Sequence, residues 1–233
     1  LSAQAKEYKL SSPSGNLSIV VSEGKTLSWS VSCDGRTLLE PSEIALEIKG
    51  KGVLGPGAKA RKLSRRTVDE MQTALVPVTF RHIRNHCNGM TLSYKGWAVR
   101  FRAYDNGVAY RFVTRMKGTV AVDDELMEMH FPGDYTADVS HVGGFKTSCE
   151  TTYNHISTKS FKPSDDMTYL PILIRTDKKY RILISETDLK DYPGMFLKGT
   201  GNNGMSSIFP PCPLEQELSG DRSMNFTKTA DYI

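Results

Sequence analysis

The chain has 233 residues, a formal net charge of +4, 39% hydrophobic residues and 24% charged residues, which is ordinary for a soluble globular protein. No stretch approaches the roughly 18 apolar residues that a membrane span needs. The basic residues are spread along the chain, and the densest run is Arg61, Lys62, Arg65 and Arg66. It is not interleaved with aromatic residues, so we interpret it as a solvated face and exclude nucleic acid as a partner.

The first residues contain Ala3-Gln4-Ala5, the small-residue pattern at which signal peptidase cuts. We therefore expect residues 1–5 to be the remnant of a signal peptide and the protein to be periplasmic or secreted. No low-complexity linker divides the rest, so we predict that residues 6–233 form one domain.

The four cysteines have wide, irregular spacings without a C-x-x-C pair: Cys33, Cys87, Cys149 and Cys212. This spacing excludes the usual zinc and redox motifs. We expect several of them to be small buried hydrophobic residues, although an exported protein could also pair them. The sequence does not assign a pairing.

Strand patterns begin with residues 25–33, where Leu27, Trp29 and Val31 alternate with serines. A period of two residues is typical of a half-buried strand. Asp34-Gly35 then predicts a hairpin turn that leads to a returning strand at 36–39.

The middle of the chain continues in the same way. The patterns predict strands at 75–84, 90–95, 97–104 and 108–115, with loops at 85–89 and 105–107. A single helix is possible at 64–75, since Val68, Met71 and Leu75 have a spacing of three to four residues.

Further strands are predicted at 119–122, 126–131, 170–175 and 180–185. The run Pro171-Ile172-Leu173-Ile174 is nearly continuous in apolar residues, so we expect it to be buried on both faces. Many strands with short turns predict an all-β fold of two large packed antiparallel sheets.

Ordinary catalytic motifs are missing: the sequence has no G-x-S-x-G elbow and no P-loop, and Gly-rich residues 52–57 are interpreted as a plain loop. His82 and His86 have the spacing of a metal pair on a helix. On a strand, four residues span about 13 Å, which is too far for one metal ion.

Three carboxylates follow the predicted strand at 180–185: Glu186, Asp188 and Asp191. Carboxylates held at the end of a core strand suit a metal site or a sugar-binding edge, whereas the simpler interpretation is a solvated loop. Calcium takes about 6–8 oxygen ligands. A calcium site here would therefore need oxygens from elsewhere.

The same segment carries a resemblance to a known family. Residues 185–195, Ser-Glu-Thr-Asp-Leu-Lys-Asp-Tyr-Pro-Gly-Met, closely resemble a motif of glycoside hydrolase family 97. Residues 12–17, 104–112 and 170–173 are similar to other family stretches and occur in the family's order. Ser14 and Asn106 each replace an expected Asp, but Asn-Gly turns as well as Asp-Gly.

The resemblance implies an N-terminal β-super-sandwich of the galactose mutarotase type, followed in the whole enzyme by a (β/α)₈ catalytic barrel and a small β domain. It implies a calcium-dependent α-glucosidase or α-galactosidase that acts on an α-linked oligosaccharide. Glu186 matches the one calcium ligand that comes from the N-terminal domain. The catalytic carboxylates belong to the barrel, so we expect this chain alone to be inactive.

Two other functions remain open. A free-standing carbohydrate-binding module would need an exposed aromatic platform, and we expect Trp29 and Trp97 to be buried. A mutarotase-like enzyme would need a His–Glu pair in a sheet-lined cleft. If the chain packs on a barrel, an exposed apolar patch should mark the contact. The candidates are residues 210–214 and 195–197, and the polar loop 148–153 could also face an active site.

Overall fold

The computed structural model describes residues 5–177, 179–220 and 224–233. Residues 1–4 of the expected signal-peptide remnant lie outside these ranges. Over the described ranges the chain is all-β and contains no helix, so the predicted fold class is confirmed. None of the described residues forms a helix long and apolar enough to cross a membrane.

The strands that the described residues form are, in chain order, β1 (Lys6–Ser11), β2 (Leu17–Glu23), β3 (Leu27–Cys33), β4 (Arg36–Ile48), β5 (Gly52–Leu54), β6 (Lys62–Thr73), β7 (His82–Ser93), β8 (Trp97–Tyr104), β9 (Gly107–Thr114), β10 (Val122–His130), β11 (Thr136–Val139), β12 (His141–Val142), β13 (Asn154–Ser157), β14 (Met167–Tyr169), β15 (Ile172–Arg175), β16 (Arg181–Ile184), β17 (Phe196–Gly199), β18 (Gly204–Ile208), β19 (Pro213–Leu218) and β20 (Met224–Thr229). The chain divides into two compact units. The first comprises Leu1–Glu40 and Gly55–Gly118, and the second comprises Pro41–Leu54 and Thr119–Ile233.

The first unit contains the antiparallel meander β1-β2-β3 and the antiparallel sheet β6-β7-β8-β9. Its strands β2 and β3 alternate strictly between buried and half-buried residues, because every second side chain points to the core. Its largest fully buried side chains are Ile19, Leu27, Met90, Leu92 and Phe101.

Two of the family-like stretches meet in this unit. The backbone N–H and hydroxyl of Ser14 donate hydrogen bonds to Asp105 Oδ1 at 2.8 and 2.6 Å, and Asn16 Nδ2 donates to the Asp105 carbonyl at 3.0 Å. The two hydrogen bonds from Ser14 lower the pKa of Asp105. The β2 entry turn is therefore fixed to the β8–β9 turn.

The first unit also corrects three predictions. Residues 64–75, a possible helix from their spacing, lie mainly in β6, and the predicted loop 85–89 lies within β7. The predicted strand at 75–84 is a loop up to residue 81 and joins β7 only at His82. Pairing of β6 with β7 along their full lengths, from Lys62–Ser93 to Thr73–His82, overrides the local spacing signal.

The second unit contains the path β10-β18-β17-β14-β12, the sheet β13-β11-β15-β16 and the hairpin β19–β20. Gly52–Leu54 of the expected plain loop pairs with the end of β4 as β5. The run 171–174 was expected to be buried on both faces. Instead Ile172 and Ile174 are buried, while Leu173 between them is half-buried and lies on the other face.

Candidate functional site

The carboxylate loop, residues 185–195, connects β16 to β17 in the second unit. It leaves β16 at Ile184, which is buried, and it returns to a buried strand at Phe196. Asp188 and Asp191 have φ values of 61° and 51°. This left-handed region is uncommon for residues other than glycine, and Asp tolerates it better than most. The two aspartates therefore shape the loop.

Glu186 is the half-buried carboxylate of this loop. Both of its oxygens accept from the backbone N–H of Met195, at 3.0 Å each. A Cβ on Gly194 would lie 3.5 Å from Glu186 Oε1, so the backbone approaches the carboxylate closely at this point. Burial raises the pKa of Glu186, and the Met195 N–H partly opposes that rise.

The other two carboxylates of the loop are exposed. Lys190 Nζ lies 3.6 Å from Asp188 Oδ1. Among the residues that the structure describes, no group of three or more His, Cys, Asp or Glu side chains could hold a metal ion. Within the described chain, Glu186 is therefore not joined by Asp188 and Asp191 in a common ligand set.

Met195, the hydrogen-bond partner of Glu186, and the two residues that follow it are part of the core. Met195 and Phe196 are buried, and Leu197 is fully buried. The Phe196 ring packs edge-on against Phe145 at 5.2 Å between centroids. Residues 195–197 were expected to be an exposed docking segment, and this prediction is wrong because they pack into their own unit.

A second anchor holds the loop at Tyr192. Its hydroxyl donates a 2.6 Å hydrogen bond to Glu125 Oε2, and its ring lies edge-on to Phe209 at 5.8 Å. Burial, followed by the charge of Glu125, raises the pKa of Tyr192. No local pattern identifies the role of Tyr192, because its partner is 67 positions away in the chain.

The polar loop 148–153 is tied to the neighbouring strand β14. The Tyr169 hydroxyl donates to the carbonyl of Cys149 at 2.7 Å, and it lies 3.4 Å from Thr151 Oγ1. Tyr169 pairs with Phe196 in the ladder between β14 and β17. Strand β14 therefore contacts both this loop, through the Tyr169 hydroxyl, and the strand that follows the carboxylate loop, through backbone pairing. The Tyr153 ring of the polar loop remains 52% exposed.

The candidate docking segment 210–214 differs from 195–197. Pro211, Pro213 and Leu214 are exposed, and Leu214 retains 48% of its surface. The nearby Leu218 and Phe226 of the β19–β20 hairpin are 77% and 50% exposed. This segment stays a prediction for a contact surface.

His82 and His130 contact side chains of their own units. His82 Nδ1 lies 3.3 Å from Thr73 Oγ1, and His86 lies further along the same strand, opposite Asp69. A His–acid contact does occur at His130, whose Nε2 is 3.1 Å from Glu128 Oε2. These two residues are adjacent on one face of a single strand, β10.

Asp138 forms another polar cluster of the second unit. Arg175 donates to both of its oxygens, at 2.9 and 2.5 Å, and His155 Nδ1 lies 2.6 Å from Oδ1. These hydrogen bonds, that of Arg175 above all, lower the pKa of Asp138. The cluster ties β11 to β13 and β15 and therefore braces the sheet.

The tryptophans and two of the cysteines lie in the interior. Trp29 and Trp97 are buried, with 8% and 6% of their surface exposed, as expected. They provide no platform for a sugar ring. Cys33 and Cys87 are buried, and all four cysteines are free.

The fold and the carboxylate loop thus define an all-β, sandwich-like domain with one constrained, half-buried carboxylate at a strand end. The model of the family described as glycosyl-hydrolase 97 N-terminal matches residues 10–227. The chain belongs to this family, and the resemblance seen in its motifs is confirmed.

Similar proteins are considerably longer. A retaining alpha-galactosidase from Bacteroides thetaiotaomicron is 35% identical over 250 residues, which take in 100% of this chain and 37% of that protein. A glycoside hydrolase family 97 enzyme from Pseudoalteromonas sp. strain K8, solved in complex with acarbose, matches 88% of this chain and 32% of its own, with 22% identity and a TM-score of 0.75. A beta-arabinopyranosidase matches 88% of this chain and 36% of its own, with 23% identity and a TM-score of 0.77. The chain spans about a third of each.

Proposed function

We propose that this chain is the non-catalytic N-terminal domain of an exported, calcium-dependent α-glycosidase. It packs on a (β/α)₈ catalytic barrel and provides Glu186 as one calcium ligand. The supporting observation is the geometry of Glu186, a half-buried carboxylate held by the Met195 N–H in a chain that belongs to the glycosyl-hydrolase 97 N-terminal family.

The chemistry of Glu186 fits one position in a calcium site. An ionised carboxylate has about four lone-pair sites, and a single N–H donor leaves most of them for a cation. Calcium prefers carboxylate oxygens and takes about 6–8 oxygen ligands. Because Asp188 and Asp191 do not converge on Glu186, the other ligands in this proposal come from the catalytic domain and water.

The loop contributes orientation. Met195 precedes a buried strand, so its N–H is a fixed donor and holds the carboxylate against rotation. The Tyr192–Glu125 hydrogen bond fixes the loop between Glu186 and that strand. When bound, calcium would favour the ionised form of a nearby catalytic carboxylate and help to hold the sugar.

The raised pKa of Glu186 has a consequence for metal binding. A cation favours the ionised carboxylate, so binding must overcome the burial that raises this pKa. Calcium affinity should therefore fall as the pH decreases toward the pKa of Glu186.

The substrate in this proposal is an α-linked oligosaccharide with a terminal galactose or glucose. Support comes from the similar protein described as a retaining alpha-galactosidase. Hydrolysis of a glycoside uses two carboxyl groups that flank the scissile bond. These groups belong to the catalytic barrel in this proposal, so residues 1–233 alone do not turn over substrate.

The test compares residues 1–233 with the longer polypeptide that contains them, with calcium and with EDTA. The substrates are aryl α-galactoside, α-glucoside and β-arabinopyranoside. We expect activity from the longer polypeptide only, and we expect EDTA to remove it. Glu186→Gln should lower both calcium affinity and activity by about 10–100-fold, as removal of a metal-site partner commonly does.

Asp188→Asn is the matched control, because it removes a carboxylate of the same loop that is exposed. It should change calcium affinity by less than about threefold, since an exposed charge acts weakly through water. Turnover by residues 1–233, or an EDTA-resistant longer enzyme, would show that the proposed division of labour is wrong. Cell fractionation tests the proposed export, and retention in the cytoplasm would contradict it.

A further inference from the structure

The hairpin between β6 and β7 extends beyond the sheet to which it belongs. The register of β8 against β7 runs from Ser93 to Asn88, whereas β6 and β7 continue pairing to Thr73 and His82. The Ala74 N–H then donates to the Arg81 carbonyl at 2.9 Å and closes the tip. We call residues 71–84 the hairpin arm.

The arm holds a cluster of large apolar side chains that are exposed to solvent. Leu75, Val78, Val76 and Phe80 are 102%, 91%, 78% and 68% exposed, and Met71 and Ile83 are 63% and 50% exposed. An isolated two-stranded hairpin is marginally stable in water, and contiguous exposed apolar surface usually marks an interaction site.

The arm carries two arginines: Arg81 directly follows the tip, and Arg84 lies at the base. Arg84 donates two hydrogen bonds of 2.8 Å to the Asp69 carboxylate. Residues 74–80, Ala-Leu-Val-Pro-Val-Thr-Phe, carry no charge at all. A partner of the tip itself must therefore offer a predominantly apolar pocket.

We propose that the hairpin arm docks on the catalytic domain of the same polypeptide and buries Leu75, Val78 and Phe80 there. This inference rests on the proposed function, because it needs a longer enzyme. The alpha-galactosidase that aligns with 100% of this chain has roughly two thirds of its length outside the aligned part. That length can supply the pocket.

A lipid surface suits the arm less well. Membrane-interface segments are enriched in Trp and Tyr, and residues 71–84 contain neither. The tip is also interrupted by Pro77 and Thr79. A folded apolar pocket, which can accept Leu, Val and Phe individually, matches this composition better.

Hydroxyl-radical footprinting tests the proposal, because Met71 and Phe80 are reactive side chains on the arm. The reactivity of both is measured in residues 1–233 and in the longer polypeptide. We expect at least about threefold protection in the longer polypeptide at every protein concentration, as for groups that become inaccessible to solvent.

The double variant Val78→Ser/Phe80→Ser adds a stability measurement. It should lower the melting temperature of the longer polypeptide by about 2–4 °C and leave that of residues 1–233 within about 1 °C, since the side chains are exposed there. Val53→Ser is the matched control at a 50% exposed apolar residue of the second unit, and it should affect both proteins alike.

Three results would overturn the inference. The first is equal reactivity of the arm in both proteins. The second is protection that increases with protein concentration together with the dimer fraction seen in sedimentation, and the third is protection only in the presence of vesicles of phosphatidylcholine and phosphatidylglycerol. An active, calcium-dependent longer enzyme with a reactive arm would refute docking and leave the proposed function standing. A protected arm in a longer protein that hydrolyses none of the glycosides would support docking and refute the proposed function.

Discussion

The carboxylate loop, residues 185–195, and the hairpin arm, residues 71–84, are held by different interactions. The loop is polar, yet hydrogen bonds to Met195 and Tyr192 and the buried strand after it fix its backbone within the second unit. The arm is apolar, yet its tip is exposed and is held mainly by its own ladder. Hydrophobicity alone therefore predicts the wrong one of the two as a packed segment.

One anchor of the carboxylate loop, the Tyr192–Glu125 hydrogen bond, comes from far away in the sequence. Glu125 lies 67 positions from Tyr192, whereas Thr73 and His82, paired in the arm, are nine positions apart. A segment with long-range anchors can hold a side chain in one geometry, as a metal ligand needs. A segment with only local pairing is adaptable and suits docking.

The largest effect should come from the strand that anchors the carboxylate loop. A Cβ on Gly199, at the end of β17, would overlap the carbonyl of Phe161 and lie 2.6 Å from the Lys162 nitrogen. Gly199→Ala should therefore lower the free energy of unfolding by about 3–5 kcal/mol, measured by urea denaturation. Gly143→Ala, where a Cβ meets nothing within 4 Å, should be nearly neutral. Equal effects would remove the claim that β17 is tightly packed.

Removal of the second anchor should have a smaller effect. Tyr192→Phe deletes the hydroxyl that donates to Glu125, and it should cost about 1–2 kcal/mol in the free energy of unfolding. Hydrogen exchange at Asp191 and Gly194 should accelerate at the same time. Tyr153→Phe, at a 52% exposed ring, is the control. If the two variants behave alike, the Tyr192 hydrogen bond does not hold the loop.

The pH dependence of Glu186→Gln should be smaller still. Burial raises the folded-state pKa of Glu186, so folding is favoured while the group is protonated, and that contribution is lost as the pH rises through the folded-state pKa. In metal-free residues 1–233, Glu186→Gln should therefore be neutral near pH 3 and more stable than the wild type by less than about 1 kcal/mol near pH 7. Urea titrations at both pH values check this. A loss of stability at about pH 7 would mean that the Met195 hydrogen bond outweighs burial.

The smallest effect should be at the arm. Leu75→Ser in residues 1–233 should change the free energy of unfolding by less than about 0.5 kcal/mol, because the side chain is fully exposed. Leu197→Ser, at a fully buried residue after the carboxylate loop, is the opposite case and should be strongly destabilising. A large effect of Leu75→Ser would show that the arm packs within this chain.

Sequence patterns gave a sound account of the short hairpins and a poor one of the long hairpin. Strand β3 and the β8–β9 hairpin follow from alternation and from turn residues. The helix-like spacing of Val68, Met71 and Leu75 misled, because the pairing of β6 with β7 decides the structure there and the exposed arm has no core-facing stripe. Residues 195–197 were expected to be exposed, and that prediction failed for the opposite reason: the segment packs against distant residues such as Phe145.

The sequence by itself determined the all-β class, through strand periodicity, and the family, through ordered motifs that include Glu186. Those features are local, and a linear pattern encodes them fully. Only the tertiary structure decided that Met195 and Tyr192 restrain the carboxylate loop while the hairpin arm remains uncovered. The Tyr192–Glu125 contact joins residues 67 positions apart, and the Glu186–Met195 contact depends on how the loop between them folds. A single sequence carries no direct signal for either contact.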